Sequence, residues 1–173
     1  MGALLVQGGC RLVTDDMLAL TATQARFVAE PGPPRIKLYR DIAMRIFGSA
    51  RDGVKMNPVT EKLIIRLGAD EVVREAHPLA AIYLIGEQQP AADAGGPSIH
   101  RLSPASALPR ILAATAAHYP SEPARLERQF KFVTALVNQV PVKTFSYRRN
   151  KEELFQVRDA LLVDLARSAS QVQ

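Results

Sequence analysis

The sequence predicts an α/β fold in which helices flank a mixed β-sheet. Its first half holds short segments with strand-like alternation between turn residues, and its second half holds longer segments with apolar residues at helical spacing. Strands concentrated in one half favour a mixed sheet over a purely parallel one. The almost wholly apolar run 78–85 indicates a central strand buried on both faces. No repeat or boundary interrupts the chain, so a single domain is expected over 1–173.

Local signals place the elements in order. Glycines after helical spacing mark helix ends, and Ser103-Pro104 is typical of a helix start. The predicted elements of the first half are a helix at 1–7, a buried strand at 11–20 pairing back with 25–29, a strand at 35–38, a helix at 41–47, a loop at 49–60 and a strand at 61–67. Those of the second half are a loop at 86–97, a strand at 99–102, helices at 103–115 and 121–140, a strand at 142–147, a helix capped by Asn150 and a frayed tail at 168–173.

Composition limits the classes of function. At 173 residues and 47% hydrophobic residues, the chain can bury a core, and the single Cys10 excludes an internal disulfide framework. No leader-like start and no bilayer-length apolar run occur, so a cytoplasmic protein without a membrane partner is expected. The net charge is +5, but the cations are scattered and aromatic residues reach only 6%, which argues against nucleic acid. A phosphate-bearing small molecule or an acidic protein fits the charge equally well.

The adjacent carboxylates Asp15 and Asp16 are the most informative feature of the chain. Apolar residues surround them, and ionised carboxylates are rarely placed near a core unless they meet cations or a metal. They therefore suggest a site for a divalent ion, a general base or both. The alternative is that they start a turn or cap a helix, positions in which aspartate is common.

Four cations could lie beside these carboxylates. Arg35 and Lys37 alternate on one predicted strand, and Lys62 and Arg66 alternate on another. Two carboxylates with several cations form the set that phosphoryl transfer needs, because carboxylates hold Mg²⁺ and accept a hydroxyl proton while cations stabilise phosphate charge. The alternative is a solvated strand face. Neither a histidine-based metal motif nor a G-x-S-x-G motif occurs, although the chain holds His77, His100 and His118.

Residues 3–16, Ala-Leu-Leu-Val-Gln-Gly-Gly-Cys-Arg-Leu-Val-Thr-Asp-Asp, resemble the segment that directly follows the P-loop in HPr kinase/phosphorylase and its smaller relatives. Further segments similar to these HPr-kinase-like proteins occur in the family's order at 34–38, 78–84, 101–105 and 140–142. The resemblance implies a P-loop kinase domain related to phosphoenolpyruvate carboxykinase. It also implies a serine kinase that uses ATP and Mg²⁺.

The resemblance assigns roles to individual residues. Asp15 would be the catalytic base that takes the serine proton, and Asp16 would hold Mg²⁺. Lys37 and Lys62 match basic positions expected to bind the nucleotide. The implied partner is a protein or peptide bearing a serine, either HPr-like or a lasso-type precursor peptide.

One departure from the family is large. The amino-terminal strand and the G-x-x-x-x-G-K-[ST] loop are missing, and the loop would end about two residues before Met1. The chain as given is therefore expected neither to bind ATP tightly nor to transfer phosphate. The alternative function is a non-catalytic binding module that holds an acidic protein or peptide. A sheet edge left open would favour homo-oligomers.

Overall fold

The computed structural model describes residues 1–48, 51–86, 96–115, 122–148, 150 and 152–170. Within these ranges, five helices and nine strands form a mixed α/β arrangement, which confirms the predicted class. The strands form three sheets of three strands each, where the sequence predicted one mixed sheet. In chain order the elements are α1 (Gly2–Gln7), β1 (Leu20–Ala22), β2 (Phe27–Ala29), β3 (Arg35–Tyr39), α2 (Arg40–Phe47), β4 (Val54–Asn57), β5 (Thr60–Arg66), β6 (His77–Pro78), β7 (Ile82–Ile85), β8 (Ser98–Arg101), α3 (Pro104–Ala114), α4 (Pro123–Gln139), β9 (Val142–Ser146) and α5 (Leu154–Ser170).

Contacts divide the chain into two compact units, each described here by itself. The first comprises Met1–Thr21 and Val28–His77, and the second comprises Ala22–Phe27 and Pro78–Gln173. The single domain expected from the sequence stays a prediction. None of the helices in the described ranges combines the length and apolarity needed to cross a bilayer.

The first unit is built on the antiparallel sheet β3-β5-β4. Its buried face carries Ile36, Leu63 and Ile65, which alternate along β3 and β5 with residues of the opposite face, among them the apolar Ile64. Helix α2 contacts both strands, and α1 contacts α2. The predicted strand alternation at 35–38 and 61–67 is confirmed, because one face of the sheet is buried and the other carries the four cations.

The second unit contains the sheet β7-β9-β8, in which β9 is central. Strand β7 runs parallel to β9 and β8 runs antiparallel to it, so this sheet is mixed. Phe145 of β9 is almost completely buried, as are Val133 and Leu136 of α4 and Val157 of α5. Helices α3 and α4 pack together.

Several predicted helix ends are also confirmed. Helix α2 stops at Gly48, whose φ of 70° is a conformation that glycine adopts without strain. Helix α3 begins with Pro104 in its first turn, and the Ser103 hydroxyl accepts a hydrogen bond from the Ser106 N–H.

Some predictions from the sequence are wrong. The predicted loop 49–60 contains β4, a strand whose four residues are all exposed and therefore show no alternation. The predicted central strand 78–85 is ordered as β7 only over its last four residues, and β7 lies at the edge of its sheet. On α4, Leu126 and Phe130 were expected inside, yet each is 51% exposed.

Other predictions meet the limits of the described residues. Most of the predicted loop 86–97 falls on 87–95, which lie outside them, as does Ser121 at the predicted start of α4. Helix α5 begins four residues after Asn150 and continues to Ser170, three residues into the segment predicted to fray.

Candidate functional site

The Asp15-Asp16 pair lies in the first unit, in a bend rather than at the end of a strand. The segment before it contacts the fold through an isolated parallel bridge between Leu12 and Val72, and through the Val13 carbonyl, which accepts the Gly32 N–H at 2.8 Å. The Thr14 hydroxyl then donates to the Met17 carbonyl at 3.1 Å and closes a turn. The buried strand predicted over 11–20 is therefore wrong. Adjacent carboxylates need solvent or cations, and the chain forms an exposed bend where they occur.

Asp15 is held by the backbone of β3. One carboxylate oxygen, Oδ2, accepts the N–H of Lys37 at 2.8 Å. Strand β3 is at the edge of the order β3-β5-β4, so the N–H groups on its outer side have no strand partner within that sheet. Burial lowers the pKa of the Met1 α-amino group, and the Asp15 charge opposes that shift.

Asp16 is held by the side chain of the same residue. The Nζ of Lys37 donates to Asp16 Oδ2 at 2.6 Å, while the Asp16 side chain remains 72% exposed. This hydrogen bond and the Lys37 charge lower the pKa of Asp16 below its ordinary value, and the charges of Lys62 and Arg35 act in the same direction. Asp16 is therefore an ionised, solvent-accessible carboxylate at neutral pH.

The four predicted cations share one face of the sheet. The register of β3 and β5 sets Arg35 opposite Arg66 and Tyr39 opposite Lys62. Lys62 Nζ lies 5.3 Å from the centroid of the Tyr39 ring. The strands that carry these cations are neighbours in the sheet, and Lys37 is the one of the four whose hydrogen bonds reach both carboxylates. The sequence interpretation did not single out Tyr39, although its position two residues after Lys37 puts it on the same face.

A groove of about 370 Å³ lies on this basic face. Arg35, Asp52, Val54, Ile64 and Arg66 line it. Sequence reasoning missed Asp52 and Val54 because it placed them in a loop.

Gly53, directly before β4, is the residue that could have indicated this strand from the sequence. A side chain at Gly53 would lie 2.8 Å from Leu63 Cβ and 3.2 Å from the Ile64 carbonyl, so only glycine lets the chain approach β5 here.

The carboxylate pair offers oxygen ligands of the kind that Mg²⁺ binds. Within the described ranges, no group of three or more His, Cys, Asp or Glu side chains could hold a metal. Mg²⁺ is commonly bound by one or two carboxylates, with water and substrate phosphates completing its shell. The exposed carboxylate of Asp16 fits one such ligand, and Asp15 directly precedes it.

A second polar cluster lies in the second unit and was not anticipated from the sequence. Lys143 Nζ lies 2.6 Å from Asp164 Oδ2 and 2.7 Å from Ser168 Oγ, and the Tyr83 hydroxyl donates to the same carboxylate. Burial, reinforced by Asp164, raises the pKa of Tyr83. Burial also disfavours the charge on Asp164, but hydrogen bonds from Lys143 and Tyr83 outweigh it and lower the pKa of that carboxyl. These contacts join α5 to β7 and β9.

No protein-family model, curated protein or solved structure matches this chain. The resemblance to HPr-kinase-like proteins therefore stays a prediction.

Proposed function

We propose that this chain carries the acceptor-activating site of an ATP- and Mg²⁺-dependent kinase that phosphorylates a serine hydroxyl of a protein or peptide. The observation that carries the proposal is that one residue, Lys37, holds both carboxylates, Asp15 by its N–H and Asp16 by its ammonium group. The HPr-kinase-like resemblance and its relation to P-loop kinases support the same function.

Asp15 suits the role of general base. Its Oδ2 is engaged by the Lys37 N–H, which fixes the carboxylate and leaves Oδ1 to accept the proton of an incoming hydroxyl. This hydrogen bond comes from backbone rather than from a flexible side chain, so the carboxylate is positioned before substrate arrives.

Asp16 suits the role of metal ligand. Mg²⁺ held there would neutralise negative charge on the transferred phosphoryl group. Lys37 and Lys62, both on the basic face, would bind phosphate oxygens by charge. Asp16 is exposed enough for an ion to reach it from solvent.

The second candidate is a binding module that holds an acidic partner without chemistry. Arg35 and Arg66 favour it, because they face each other across β3 and β5 and neither makes an ion pair within 4.0 Å to any described residue. The two candidate functions differ in one requirement: a kinase needs the carboxylates of Asp15 and Asp16, and a binding module does not.

Calorimetry with Mg-ATP and a phosphorylation assay test the proposal, using the chain as printed and the chain extended by any in-frame residues encoded upstream. The printed sequence has no G-x-x-x-x-G-K-[ST] motif, so we expect the tighter binding in the extended chain. Asp16→Asn should weaken Mg-ATP binding about tenfold or more, since it removes an ionised metal ligand. Asp15→Asn should leave binding intact and slow transfer about 100-fold or more.

Asp159→Asn, which changes an exposed acid on α5, is the matched control and should leave both quantities unchanged. If neither form of the chain binds Mg-ATP, the kinase proposal fails and the binding module is the better description.

A further inference from the structure

The opposed arginines in the groove of the first unit are unusual. Arg35 and Arg66 are direct cross-strand partners, and like charges in such pairs repel each other. Both side chains line the groove of about 370 Å³, and neither is neutralised by an ion pair within the described ranges. An anion placed between them would relieve the repulsion and could be bound by both guanidinium groups.

The rest of the groove favours a peptide over a small inorganic anion. Its remaining lining combines the apolar Val54 and Ile64 with one acid, Asp52. Apolar lining favours a ligand with carbon surface, and a carboxylate favours one with a donor such as a backbone N–H. Against two arginines, the single charge of Asp52 leaves the groove positive.

The groove and the carboxylate pair both involve strand β3. Arg35 is two residues before Lys37 on the same face of β3, and Lys37 holds both Asp15 and Asp16. Two residues of strand span about 6.6 Å. An extended peptide has the same repeat, and its side chains two positions apart point the same way.

We propose that the groove binds the carboxylate of a substrate peptide two positions from the acceptor serine, with Arg35 and Arg66 as its specificity-determining residues. This inference rests on the proposed serine kinase for the place of the serine. The groove itself requires only the positions of the two arginines.

Fluorescence anisotropy tests the proposal through binding alone, without nucleotide. The probe is fluorescein-labelled Ala-Ala-Ser-Ala-Glu-Ala-Ala at low salt, with a matched peptide in which Lys replaces Glu. We expect the Glu peptide to bind and the Lys peptide not to bind. Arg35→Gln and Arg66→Gln should each weaken binding about threefold, and both together about tenfold. Arg45→Gln, which changes an exposed arginine on α2, should have no effect.

Two outcomes would overturn the inference. One is equal binding of the Glu and Lys peptides, or no binding of either. The other is displacement of the Glu peptide by inorganic phosphate as effectively as by unlabelled Glu peptide, which would make the groove a simple anion site.

The Asp15→Asn variant tests the kinase proposal separately from the groove proposal. Phosphate transfer that depends on Asp15 but not on the Glu of the peptide would support the kinase proposal and contradict the groove proposal. Peptide binding that depends on Arg35 and Arg66, without any phosphate transfer, would support the groove proposal and contradict the kinase proposal.

Discussion

Within the described residues, a lysine–aspartate ion pair occurs twice, in two different surroundings. Lys37 meets Asp16 in the first unit and Lys143 meets Asp164 in the second, each with Nζ 2.6 Å from Oδ2. The side chains of the first pair are 27% and 72% exposed, and those of the second are 11% and 25% exposed. Equal geometry therefore does not imply equal function.

The difference in solvent exposure suits one ion pair to ligand binding and the other to a structural role. A pair open to water is screened, contributes little stability and can exchange a partner for a ligand. A pair taken out of water is costly to break, because either partner alone leaves an uncompensated charge. The Lys143 pair is further fixed by Tyr83 and Ser168, so it is suited to hold α5 in place. Only the Lys37 pair is suited to bind a ligand.

The largest effect should follow removal of Asp164, the less exposed of the two acids. Asp164→Ala leaves the Lys143 ammonium without its counter-charge and should lower the free energy of unfolding by about 2–3 kcal/mol, measured by urea denaturation. Asp159→Ala on the same helix is the control and should cost less than about 0.5 kcal/mol. The double variant Lys143→Met with Asp164→Leu should recover much of the loss, since it removes both charges. Equal effects of Asp164→Ala and Asp159→Ala would remove the distinction between the pairs.

A smaller effect is expected from Tyr83, and it depends on pH. Its pKa is raised above the ordinary value of 10.0, so folding favours the protonated hydroxyl. The resulting stability is fully present below pH 10 and is lost as the pH rises above it. Tyr83→Phe should cost about 1 kcal/mol at neutral pH, and the difference from the parent chain should shrink above pH 10. Urea midpoints across this range measure it, and a constant difference would contradict the raised pKa.

The smallest effect on stability should come from Asp16. Asp16→Asn removes an exposed pair, so the urea midpoint should stay within experimental error of the parent at moderate salt. In the extended chain the same substitution is expected to weaken Mg-ATP binding, so it should affect ligand binding without affecting stability, the reverse of Asp164→Ala. A clear loss of stability would show that Asp16 is structural and would weaken its proposed role as a metal ligand.

The sequence predicted well those features that leave a local pattern. Strands β3 and β5 alternate because one face is buried, and α2 stops where a glycine takes positive φ. Strand β4 left no such pattern, since all four of its residues are exposed.

Contacts between residues that are distant in the chain could not be predicted from the sequence either. Asp15 finds the Lys37 backbone 22 residues away, and Tyr83 finds Asp164 at a separation of 81 residues. The residue types at the candidate site could be read from the sequence, but their pairing depends on which strand edge the fold presents to them.

The hydrogen bond from the Lys37 N–H to Asp15 has a consequence for self-association. An outer strand with free N–H and C=O groups is a template on which a second chain can add a strand. Asp15 occupies one of those donors on β3, and the adjacent charge of Asp16 opposes the approach of an apolar strand. The two carboxylates that the kinase proposal assigns to chemistry therefore also shield the middle of this edge against aggregation.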